Sequence, residues 1–115
     1  MDARGYAVGG LYFMIWSEDE HELYFTPEAM IFVGLNLDGR QSDVDLWHFQ
    51  DARSYCTLGV YPDVRKPTKG EEKAKLYELK IGELDQMVDT RRLAILLTEH
   101  AARRVAAGIV DQLKR

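Results

Sequence analysis

From Glu83 to the end of the chain, apolar residues recur at helical spacing on two opposite sides. Leu84, Met87, Val88, Ile95, Ala102, Val105, Ala106, Ile109 and Leu113 fall on one side at ~100° per residue. Leu93, Leu96, Leu97 and Ala101 fall on the other, at roughly 150° from that stripe. The middle of this segment is therefore apolar nearly all round, and its ends are amphipathic. Asp89-Thr90 offers an internal cap, which predicts a short helix followed by a long one. A helix from Thr90 to Lys114 would be ~37 Å long, whereas a compact domain of this size has a radius of gyration of about 13 Å. One sheet face covers one stripe, so another layer must cover the second. Three coverings fit: a short helix or loop of the same chain, a second copy in a symmetric dimer, or another protein as partner. An uncovered stripe would be an aggregation liability.

Upstream, the chain reads as strands. Tyr6 to Trp16 is rich in aromatic and β-branched residues and is interrupted by Gly9-Gly10, which suggests a bulge or close backbone approach. A polar turn from Ser17 to Glu22 leads to a second strand at Leu23-Tyr24-Phe25, where Pro27 should stop ladder pairing and mark an edge or a bend. Met30 to Leu37 and Val44 to Phe49 form a hairpin about Asp38-Gly39. Asp51 to Gly59 reads as a short helix, with Asp51 as N-cap and Gly59 in the left-handed conformation at its end. Val60 to Ala74 contains Pro62, Pro67 and Gly70 without an apolar period, and reads as a surface loop. Lys75 to Ile81 alternates, with Tyr77, Leu79 and Ile81 on one side, as a fifth strand. The expected fold is α+β: an antiparallel sheet of about five strands, an N-terminal meander. A long C-terminal helix packs on one face, and a short helix lies near 51–58. The expected organisation is a single domain over 1–115.

Composition limits the functional classes. The usage is ordinary and globular, with 46% hydrophobic and 30% charged residues. A single cysteine, Cys56, rules out an internal disulfide and favours a reducing, cytoplasmic setting. The N-terminus lacks the layout of a signal peptide. The apolar stretches Ala7 to Trp16 and Met30 to Leu35 fall short of the ~20 residues that span a bilayer. The net charge of −4 divides unevenly. Residues 1–52 hold two basic and ten acidic side chains, giving −8, and residues 53–115 hold thirteen and nine, giving +4. Such polarity either holds two halves of one fold together or steers a partner.

Chemistry-bearing patterns are sparse. His21, His48, His100 and Cys56 stand in no ligand pair, and Glu18 to Glu22 lacks the glycine and spacing of a calcium loop, so no metal and no cofactor are expected. Asp43 and Asp45 point to one side of their strand and His48 to the other. Cys56 and His48 are eight residues apart, and a nucleophilic pair would need the short helix to fold back on the strand. Arg91, Arg92, Arg103 and Arg104 form the candidate anion-binding stripe for nucleic acid. Glu99 can pair with Arg103, and the acidic half would repel a polyanion. Trp47, in an aromatic cluster with Phe49 and Tyr55, is a core residue or, if exposed, an anchor for a partner.

The expectation is a non-catalytic protein-interaction module, of accessory, regulatory or inhibitory kind, that forms a homodimer. Its interface would be Leu93, Leu96, Leu97 and Ala101, with His100 at the rim as a pH-sensitive group. The alternatives are a small-molecule binder or small enzyme with a pocket between sheet and helix, and nucleic-acid binding through the basic helix. No membrane association is expected.

Overall fold

The structure, a computed structural model, describes residues 5–17, 25–39 and 43–113. Within these, the side chains of 16, 17, 25, 104 and 107–113 are not described. The acidic turn with His21 and the strand start at Leu23-Tyr24 lie outside the described residues.

Five strands form one antiparallel sheet. They are β1 (Leu11–Ser17), β2 (Phe25–Leu35), β3 (Trp47–Asp51), β4 (Leu76–Leu79) and β5 (Met87–Asp89). A short helix α1 (Ala52–Thr57) follows β3, and a long helix α2 (Thr90–Leu113) follows β5. The spatial order is β4-β3-β2-β1-β5. The first four strands form a meander, but the strands expected to end at Phe25 and to begin at Met30 are one strand, β2, and the fourth member is the strand expected as the fifth. The chain then crosses back to add β5 beside β1.

Two further sequence expectations change in detail. Pro27 does not stop ladder pairing: β2 runs through it, with Pro27 opposite Ile15 of β1. At that register β2 has β1 as a neighbour, while its pairing with β3 begins at Met30. The missing N–H therefore falls on a local edge, where proline is tolerated. Met87 to Asp89, expected within a helix, is a strand instead, entered through a 3-10 turn at Ile81–Gln86. Three residues are too few to show a period of two, so Met87 and Val88 read at helical spacing with Leu84.

One sheet face carries the core: Met14, Met30, Phe32, Trp47, Phe49, Leu79 and Met87. The segment before β1 folds back over it. Gly9 takes φ +83°, and its N–H donates to the Phe32 carbonyl at 2.8 Å. This return lays the Tyr6 ring 4.8 Å from Tyr12 and 5.6 Å from Phe49, ring centre to ring centre. Tilted and edge-on aromatic contacts of this kind add about 0.5–1.5 kcal/mol beyond burial.

The opposite face is closed by α1, which meets β2 and β3 and buries Ser54, with Leu58 buried at its C-cap. Asp51 organises this junction. Its carboxylate accepts from the Ser54 amide and hydroxyl and from the Lys75 amide at 2.7 Å, tying α1 and the approach to β4 onto the end of β3. Burial pushes the Asp51 carboxyl up, but the hydrogen bonds from Ser54 and Lys75, with Arg53 nearby, prevail and hold it below its ordinary value of 3.8. A carboxylate with a depressed folded pKa contributes stability above its unfolded value, and loses it as pH falls through the folded one. Asp51→Asn is expected to cost about 1–2 kcal/mol of unfolding free energy at neutral pH through the lost cap and hydrogen bonds. The mutant should also lose less stability than wild type between neutral pH and pH below 3.8, which urea titrations across that range would measure.

Candidate functional site

Two regions depart from what a small globular fold requires. The first is α2. Asp89 caps it, with its carboxylate accepting from the Arg92 amide at 2.8 Å, so the predicted break at Asp89-Thr90 is present. The helix meets the sheet at β5 and β1. Leu93 is only 8% exposed there, and Leu96 and His100 are half-buried. Beyond these the helix projects. The radius of gyration is 17.5 Å and the extents are 57 × 38 × 22 Å, against about 13 Å for a compact chain of this length.

The main apolar stripe divides: Met87 is in the core and Leu84 and Val88 are half-buried, but within α2 Ile95 is 44% and Val105 62% exposed, and Ala102 and Ala106 are exposed too. Of the interface candidates, Leu97 is 45% exposed and Ala101 is exposed, whereas Leu93 is covered by its own chain. The helix starts at Thr90, as the Asp89-Thr90 cap predicts, and turns Leu93, with Leu96 and His100, toward the sheet.

The anion-binding candidates do not form a free stripe. Arg91 and Arg92 are exposed at the start of α2, Arg103 pairs with Glu99 at 3.9 Å, and the side chain of Arg104 is outside the described residues. In the basic loop, Arg65 donates to both Glu71 carboxylate oxygens at 3.1 and 3.0 Å and to the Thr57 carbonyl. The Arg65 guanidinium, with help from Thr68, holds the Glu71 carboxyl at about 2. Trp47 is buried in the core and so presents no surface to a partner.

The second region is the face of β3 opposite the core. Alternation sends His48 and Gln50 there. Gln50 is fully buried: its amide donates to Ser54 Oγ at 3.0 Å and to the Gly59 carbonyl at 2.8 Å, and its carbonyl accepts from the Tyr61 amide at 2.9 Å. That bond places Tyr61, whose ring stacks on His48 with centres 5.8 Å apart and planes 14° from parallel. His48 is 3% exposed, and among the described residues its Nε2 has no hydrogen-bond partner.

Two carboxylates come to the same place. Glu78 sits opposite His48 in the β3–β4 register, and directly opposed residues share a face. Asp38 arrives through an irregularity: the β2–β3 register shifts between Phe32 and Gly34, and Gly34 takes φ +150°. A Cβ at Gly34 would lie 2.9 Å from the Leu37 side chain, so only glycine lets the turn fold down this closely. One ligand atom each from Asp38, His48 and Glu78 lies within 4.8 Å of the others. Sequence spacing could not reveal this group, because its members are ten and thirty residues from His48. The usable signals were the register of Tyr77 and Leu79 against Phe49 and Trp47, and the Gly34 interruption. Cys56, by contrast, is exposed on α1, while His48 lies under Tyr61.

A cleft of about 280 Å³ opens between the segment before β1, β5 and the start of α2, lined by Tyr6, Tyr12, Asp89 and Arg92 among others. Its lining does not include His48, Tyr55 or Cys56. Among the described residues, no helix is long and apolar enough to cross a membrane. Comparison with known proteins finds no matching family model, no matching curated protein and no matching solved structure.

The two sides of α2 should respond differently to truncation. Leu93→Ala is expected to cost about 2–4 kcal/mol, as for a buried leucine, and Leu97→Ala less than about 1 kcal/mol in the monomer. Denaturant titrations at low protein concentration compare them, and equal costs would contradict the placement of Leu93 against the sheet.

Proposed function

We propose that the protein is a non-catalytic protein-interaction module that works as a homodimer, with the outer side of α2 as its docking surface. The observation that carries this is the projecting helix, whose Ile95, Leu97 and Val105 are left in solvent by their own chain. A contiguous apolar patch on a long helix marks an association site or an aggregation hazard.

A second copy suits this surface on two grounds. Val105 stands at the border of its stripe, so that it lies within ~80° of Ala94, Leu97 and Ala101 at ~100° per residue. In an antiparallel pair with its twofold at Ala101, Leu97 of each copy meets Val105 of the other, four residues to either side. The small Ala101 meets itself, which lets the helices approach closely. Such self-complementarity is what an isologous interface requires. The second ground is charge. An antiparallel arrangement carries the outer part of one helix toward the sheet of the other copy. The uneven charge of the chain, +4 over residues 53–115 and −8 over residues 1–52, would favour contact between unlike halves of two copies.

Light scattering after size exclusion should give about twice the 13.2 kDa chain mass at tens of micromolar. The double substitution Leu97→Glu with Val105→Glu should shift it to one chain mass, while circular dichroism shows the fold retained. A wild-type monomer at that concentration, or a dimer indifferent to the double substitution, would remove this function.

A further inference from the structure

We propose that Asp38, His48 and Glu78 form a binding site for one divalent transition-metal ion of the zinc class. Three features carry this. The donor set is one imidazole nitrogen and two carboxylate oxygens, whose ligand atoms already lie within 4.8 Å of one another. A nitrogen ligand beside carboxylates suits zinc or manganese better than calcium or magnesium, which take oxygen alone. Ligand atoms ~2.0–2.2 Å from a tetrahedral zinc stand roughly 3.3 Å apart, so an inward movement of the two carboxylates closes the site. Asp38 lies half-buried on a turn, and Glu78 is exposed on β4.

The second feature is independent of the acidic pair. His48 is buried, and its Nε2 meets no hydrogen-bond partner among the described residues. A buried polar atom is costly to leave unpaired, and a ligand bond to the imidazole would offset that cost. The third is rigidity. Tyr61 stacks on the imidazole, and Gln50 holds the Tyr61 amide from beneath, so the ring is fixed before any ion arrives. Three protein ligands leave a coordination position open for water or a small anion, as in a reactive rather than a purely structural zinc site.

The test is calorimetric titration of the full chain with Zn²⁺, with Ca²⁺ and Mg²⁺ as controls and Co²⁺ absorption as a second readout. Saturable uptake of one Zn²⁺ per chain is expected, and His48→Gln and Glu78→Gln should each weaken it at least about 10-fold. Glu78 is exposed, so its variant reports on the site even if His48→Gln folds poorly. His100→Ala, Cys56→Ser and Leu97→Glu should leave uptake unchanged, which separates this site from adventitious ligands and from dimer formation. Absence of saturable uptake, uptake unchanged in either ligand variant, preference for Ca²⁺, or loss of uptake with Leu97→Glu would each overturn the proposal.

Discussion

In β3, successive side chains leave opposite faces of the sheet, so Trp47 and Phe49 go into the core while His48 and Gln50 go the other way. A slip of one residue would bring a histidine and a glutamine into the aromatic core and put a tryptophan and a phenylalanine under α1. Both ends of the strand are pinned against that slip. At the entry, the Asn36 side chain accepts from the Leu46 amide and donates to Asp45, and the Asn36 amide donates to the Leu46 carbonyl. At the exit, Asp51 gathers α1 and the Lys75 amide. The extra residue between these clamps is absorbed in β2 at Gly34. The core and the His48 cluster are therefore two faces of one register.

The long helix obeys a different balance. Packing normally supplies most helical stability, and an unsupported helix shorter than ~12–15 residues is marginal in water. Past His100, α2 has little of its own sheet to lean on. Its composition compensates in part: Leu, Ala and Arg are among the best helix formers. Glu99 and Arg103 add a pair one turn apart, and such exposed pairs contribute only about 0.3–0.5 kcal/mol. Local propensity can hold the backbone helical, but it does nothing for the exposed Leu97 and Val105. Association with a second copy would remove both liabilities together, since it buries the side chains and steadies the outer turns.

Much of the architecture was legible in the sequence because local signals and tertiary packing agree. The Asp51 cap and Gly59 terminus bound α1 as they should, and the alternation of Tyr77 and Leu79 places β4 correctly. Disagreement came where tertiary context overrides local rules. Pro27 reads as a stop to ladder pairing, yet sits in a strand because it occupies a local edge. Met87 and Val88 read as helix, yet extend to pair with β1 through Phe13 and Met14. That strand takes the place of the short helix expected ahead of α2, whose own start at Thr90 is unchanged. Two-sided apolarity in the helix was visible in the sequence. Which side faces the protein was not, because it depends on how α2 packs against β5 and β1.

The candidate sites differ in the same respect. The α2 surface breaks the pattern rule outward, by leaving apolar residues in water, and a helical projection of the sequence exposes that fault. The His48 site breaks it inward, by burying a polar ring, and alternation alone cannot tell a buried imidazole from an exposed one. Its burial is decided by Tyr61, which reaches the ring only because Gln50 holds the loop after α1. Its acidic neighbours are decided by the β3–β4 register and by the turn that Gly34 allows. Three separate tertiary facts converge on one side chain, and each is a local departure from the simplest packing. In a fold whose other levels agree, departures that cluster on one polar group point to function more strongly than any of them does alone.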